Sequence, residues 1–185
     1  MKRIAIGLKK GAFPKRVLLD KGVVRRRYEA AVRLNARLAM TDLQQESADA
    51  FEILCSGLAD VYITKQTANM LKRRTPAIAS PMLAVTQPLT KGRYLRRWAR
   101  RLRKLSFSRE DGVVLAYASF GLDENSTLAT IEAVITTDLK LTSNFENRRV
   151  EIEDRFTRMT ENLSEPYSTL QLPDVMVPPT VLKLI

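Results

Sequence analysis

Arg16-Val17-Leu18-Leu19-Asp20 is a short apolar run that closes on an acid. It reads as a strand buried on both faces. Ala59-Asp60-Val61-Tyr62-Ile63 reads as a second strand, and Ala133-Val134-Ile135-Thr136-Thr137-Asp138 as a third apolar run closing on an acid. Between them the apolar period is helical. Val24, Tyr28, Ala31, Leu34 and Leu38 mark a helix from Val23 to about Leu38. Thr41 or Asp42 caps a second helix, with Ala50, Phe51 and Leu54 facing inward and a stop near Gly57. Thr64 caps a third, to about Arg74, and Ser108 opens another that ends at Gly121. Helical spacing also holds from Gly92 to Leu105 and from about Asn144 to Leu163. Residues 75–90, with Pro76, Pro81 and Pro88, read as an irregular insertion, and the chain from Ser164 onward as Pro-rich and extended. Strands alternating with helices predict an α/β fold, a parallel sheet with helices on both faces.

The chain has 185 residues, 45% of them apolar and 28% charged, a size and composition that suit one domain with a sizeable core. No apolar run approaches the roughly 18 residues that span a bilayer, so no membrane partner is expected. The basic start, Met1 to Lys10, is too short and too interrupted for a signal peptide, and the expected location is cytoplasmic. Cys55 is the only cysteine and histidine is absent. Disulfide frameworks, cysteine-rich zinc sites and all His-dependent catalysis are thereby excluded. A metal site must be built from oxygen ligands, which select hard cations such as Mg²⁺ or Mn²⁺.

The net charge of +11 is unevenly laid out. Residues 1–37 hold 12 bases and 2 acids, and residues 38–60 hold 5 acids and no base. Residues 61–109 hold 13 bases and no acid, and residues 110–185 hold 6 bases and 13 acids. Segregation of this kind predicts a polyanionic partner. The strongest block is the helix near 92–105. Leu95, Trp98, Leu102 and Leu105 form its apolar stripe, and Arg93, Arg96, Arg97, Arg100, Arg101, Arg103 and Lys104 occupy the rest. Clustered Arg binds phosphate in a salt-sensitive, largely sequence-independent way. Trp98 lies on the apolar stripe and is expected in the core.

Asp20 and Asp138 close apolar runs, and Asp111 stands in the first turn of the helix opened by Ser108. The carboxyl ends of parallel strands line the ligand crevice of an open α/β sheet, and the helices that follow them start there. All three carboxylates are expected on that edge. Clustered carboxylates repel unless a cation sits among them, which predicts Mg²⁺ or Mn²⁺, able to activate water and stabilise charge on a phosphodiester.

These residues resemble the PIN-domain family of metal-dependent ribonucleases over most of residues 16–145. Val17-Leu18-Leu19-Asp20 looks like the family's first strand with its metal-binding Asp. Phe107-Ser108-Arg109-Glu110-Asp111 and the apolar residues after it look like the helix that brings the second, and Val134-Ile135-Thr136-Thr137-Asp138 like the strand end with the third. The resemblance implies a three-layer α/β sandwich, with Asp20, Asp111 and Asp138 as metal ligands and catalytic residues. It also implies Thr136 as a polar neighbour. Two positions depart from the family pattern. Gly22 stands where Asn or Ser is usual, and the helix after the second strand has Asn69 or Met70 where the family has a Glu. Asn69 could ligate through its amide oxygen, and Glu46, Asp49 and Glu110 are the acids available to replace the missing one.

The expected protein is thus a PIN-like domain over residues 1–165, with a basic segment 1–15 and a Pro-rich extension 166–185. Its expected activity is Mg²⁺- or Mn²⁺-dependent cleavage of RNA. The alternative is a catalytically impaired PIN-like module that binds RNA or an acidic protein partner, as toxin-like members of the family bind antitoxins. Leu170, Leu172, Val175, Val177, Leu182 and Leu184 make the extension apolar enough to pack on its own body or, in a homodimer, on a neighbour's.

Overall fold

A computed structural model describes residues 12–185, so most of the basic segment 1–15 lies outside the described residues. Six strands form one sheet in the order β4-β3-β2-β1-β5-β6. β1 (Arg16–Leu19) is central, between β2 (Asp60–Thr64) and β5 (Ala133–Ile135), and is parallel to both. β3 (Gln87–Lys91) extends the parallel sheet beyond β2, and β6 (Asp174–Met176) extends it beyond β5. β4 (Gly121–Leu122) pairs antiparallel with the end of β3. No helix among the described residues is long and apolar enough to cross a membrane.

The pleat sorts side chains between two cores. Leu18, Tyr62, Leu89, Val134 and Val175 point to one face, where α5 (Leu95–Arg103), α6 (Arg109–Phe120), α7 (Leu139–Asn147) and α8 (Arg149–Thr160) cover them. Val17, Leu19, Val61, Ile63, Ala133 and Ile135 point to the other. There α1 (Lys21–Asn35), α2 (Asp42–Ile53), α3 (Lys65–Lys72), α4 (Pro76–Ala84) and α9 (Pro178–Leu182) pack. The unbroken apolar run Val17-Leu18-Leu19 in β1 is what a strand covered on both faces requires.

Helix starts follow the caps read from sequence. Thr41 caps α2 in a reciprocal capping box with Gln44, Thr64 caps α3, and Ser108 accepts from the Asp111 N–H at 3.1 Å to start α6. α2 runs into a π-helical turn, Leu54–Leu58, kinked at Gly57, whose φ of 95° is left-handed and suits glycine.

Four expectations are corrected. Residues 75–90 are not irregular: they form α4 and β3. Pro76 sits at the start of α4, where no N–H is needed, and burial of Ala79 and Met82 holds the turns on either side of Pro81. Pro88 is tolerated because β4 pairs with β3 only at Thr90 and Lys91, which leaves the outer side of Pro88 without a strand. The helix expected over 144–163 is two helices, broken at Arg148 (φ −115°, ψ 12°), and α7 starts earlier because Asp138 caps it. Leu34 and Leu38 are exposed, since α1 ends at Asn35 beyond the reach of α2. The segment from 164 is not merely extended. It packs on its own body, with β6 in the sheet and the α9 side chain Val181 fully buried.

Candidate functional site at the carboxyl edge

β1 and β5 end side by side, tied by the Asp20 N–H donating to the Ile135 carbonyl at 2.9 Å. Asp20 caps α1, and its Oδ1 accepts from the Lys21 N–H at 2.7 Å. Its Oδ2 accepts from the Thr136 hydroxyl at 3.0 Å. The same hydroxyl oxygen accepts from the Asp138 N–H at 3.0 Å, so fully buried Thr136 bridges the two acids. Thr136 is itself held by the tail, because its N–H donates to the Met176 carbonyl at the end of β6. Asp138 is exposed and caps α7, its Oδ1 accepting from the N–H groups of Lys140 and Leu141 at 2.8 and 3.2 Å.

Burial raises the Asp20 carboxyl above its ordinary range. Hydrogen bonds from Thr136 and the first N–H groups of α1 oppose that, and the charge of Asp111 adds to it. Asp111 is half-buried in the first turn of α6 and close enough to be felt at Asp20. Glu46, Asp49 and Glu110 do not figure in the Asp20 shift. Asn69 is exposed on the second turn of α3.

The oxygens on this edge are of the kind that hard dications take. In number the gathering is looser than the three-ligand set expected from sequence: among the described residues no three His, Cys, Asp or Glu side chains group as an ion would need. The linked elements are Asp20 joined to Asp138 through Thr136, with Asp111 within electrostatic reach of Asp20. Cys55 offers no thiolate, because burial pushes its thiol up to about 12.

One contact escaped the sequence. A Cβ at Gly22 would lie 2.7 Å from the Thr137 hydroxyl and 3.5 Å from Asp20 Oδ2. The Thr137 hydroxyl thus fills the notch left by the missing side chain at 22, beside the Asp20 carboxylate. The doubled Thr before Asp138 was the available signal.

The basic helix adjoins this edge. A Cβ at Gly112 would lie 3.2 Å from the Ala99 carbonyl and 3.7 Å from the Arg103 Cγ, so the first turn of α6, with Asp111, rests on the last turns of α5. Leu95, Trp98, Ala99 and Leu102 are buried. Arg93, Arg96, Arg97, Arg100, Arg103 and Lys104 are exposed, and Arg101 is half-buried. None of these seven bases enters an ion pair among the described residues, and residues 1–11 contain no acid to pair with them. Acids of the C-terminal third pair elsewhere: Glu151 with Arg148 and Arg155, Glu153 and Asp174 with Arg149, and Asp154 with Arg158.

No family model, no curated protein and no solved structure matches the chain.

Proposed function

We propose that this chain is an RNA-binding protein of PIN-like three-layer build that holds the phosphate backbone along α5 and against the carboxyl edge of its sheet. The observation that carries the reading is the row of seven unpaired bases on and beside α5, the helix that packs against the first turn of α6, where Asp111 stands. Exposed Arg and Lys of one sign, left without intramolecular partners, gain by releasing counterions from a polyanion.

A second reading, cleavage of the bound RNA, is favoured by the Asp20–Thr136–Asp138 bridge. Asp20, Asp111 and Asp138 are the carboxylates that would have to draw closer together than they stand to hold Mg²⁺ or Mn²⁺, an ion that when bound supplies an activated water and neutralises phosphate charge. Thr136 fixes the Asp20 carboxylate and the start of α7 relative to each other, and the α5 arginines align the backbone.

The test is RNA binding over a salt series, then incubation of an RNA carrying both paired and unpaired segments with Mn²⁺. Binding that weakens steeply with salt is expected, and salt-independent binding or none overturns the first reading. Cleavage lost in Asp111→Asn supports the second. An intact RNA, or equal cleavage by both proteins, overturns it while leaving the binding result to stand.

A further inference from the structure

The surface that α5 offers to RNA has charge but no aromatic ring on which to stack a base. Among the described residues no aromatic ring is exposed, and residues 1–11 contain no Phe, Tyr or Trp. Trp98 is fully buried beneath α5 against Phe156. Tyr94, the nearest half-buried ring, is held edge-on by Phe120 and Tyr167, with the Arg93 guanidinium 5.4 Å above it. Phe13 and Tyr167, the remaining half-buried rings, each pack on a core. Every base-bearing position on the outer half of α5 is Arg or Lys.

Proteins that take unpaired strands combine a basic track with aromatic platforms, because splaying and ordering a flexible strand must be offset by stacking on each base. Here no aromatic platform supplies that compensation, and the Arg guanidinium planes that can stack are the same groups that must hold the phosphates. A duplex already has its bases stacked and its backbone ordered, so it loses less freedom on binding. It also carries about twice the charge per unit length of either strand. The bases suit such a rod. Arg97, Arg100 and Lys104 fall on one ridge at intervals of three and four residues, about 4.5 and 6 Å apart along the axis, and Arg93 stands in the turn just before α5. Arg96 and Arg103 flank that ridge on one side and Arg101 on the other.

We infer that the RNA taken by this face is base-paired and is read through its phosphates without regard to sequence. The inference rests on the RNA-binding reading above and narrows it to duplex.

The experiment measures fluorescence anisotropy of the full-length protein with a labelled blunt RNA duplex, with each of its strands alone, and with a duplex of scrambled sequence. The duplexes are expected to bind equally, and about tenfold or more tighter than either strand, with the slope of log K against log salt near −0.9 for each phosphate neutralised. The double variant Arg97→Gln/Arg100→Gln, whose side chains are exposed, is expected to keep the parent's melting curve and to flatten that slope by close to two phosphate contacts. A single strand that binds as well as the duplex overturns the inference, as does a duplex affinity that follows sequence or an unchanged slope in the variant. If neither RNA form binds, the RNA-binding reading itself falls.

Discussion

The Thr137 hydroxyl occupies the space that a side chain at Gly22 would need, 2.7 Å from where the Cβ would stand. Gly22 lies in the first turn of α1 and Thr137 in the connection from β5 to α7, and their meeting sets how closely that connection can run beside α1. Asp20 Oδ2 lies 3.5 Å from the same point.

Gly22→Ala is expected to cost about 1–3 kcal/mol, the usual range for overpacking. Thr137→Ala removes the opposing hydroxyl, so Gly22→Ala made in that background should cost markedly less. A double-mutant cycle by urea unfolding reads the coupling, and additive costs would show that the two side chains do not compete.

Thr136→Val keeps the shape of the side chain and removes its hydroxyl. The Asp20 carboxylate then loses a donor and the Asp138 N–H its acceptor, an expected cost of about 1–3 kcal/mol for buried groups left unpaired. Because the Thr136 hydrogen bond opposes the effect of burial on Asp20, the Asp20 carboxyl should titrate at higher pH in the variant. NMR titration of that carboxyl separates this from a general loosening of the fold.

The raised Asp20 carboxyl gives stability a definite slope with pH. Burial makes the folded state hold the proton more tightly than the unfolded chain does. The contribution is fully present below the unfolded value and is lost as pH rises through the folded one. Asp20→Asn cannot titrate and still caps α1. It should be more stable than the parent at neutral pH, and should lack the fall in stability on the alkaline side of pH 3.8. Parallel stability curves for the two proteins would contradict this.

Gly92→Ala should be among the most damaging single changes outside the site. Its Cβ would fall 1.9 Å from the Phe120 carbonyl oxygen, where only backbone can give way. A loss of about 3 kcal/mol or more is expected from the urea midpoint.

A chain ending at Glu165 lacks β6 and α9, and with them the buried Val175 and Val181 and the Met176 carbonyl that holds Thr136. Its melting temperature should fall by many degrees, and the exposed edge of β5 should promote association. A shortened monomer that melts like the full chain would show the tail to be dispensable.

What the sequence made legible was local. Thr41, Thr64 and Ser108 act through N–H groups three residues away, and their roles could be read where they stand. The central strands announced themselves because both faces of β1 are covered. Other features depend on partners far along the chain. Pro81 looks like a helix breaker until Ala79 and Met82 are seen buried against the sheet. Val175 makes a strand only because β5 lies beside it. At the site, Asp20 and Asp138 were legible as strand-end acids, and the placement of Asp111 as a first-turn acid of α6 was too. The distance of each carboxylate from the others was not, since it depends on crossing angles and on the Gly22–Thr137 and Gly112–Ala99 contacts.

The bridge from Thr136 to Asp20 spans 116 residues, and Thr136 is anchored in turn by Met176. Contacts this distant in sequence form slowly and need both ends of the chain. During synthesis the arginines of α5 leave the ribosome well before either threonine of the β5 edge, and β6 leaves later still. The growing chain therefore shows its cationic helix to an RNA-rich surface while its carboxyl edge is still unmade. Order of emergence alone keeps Thr136 from joining Asp20 to Asp138 within a complete sheet until the chain has passed Met176.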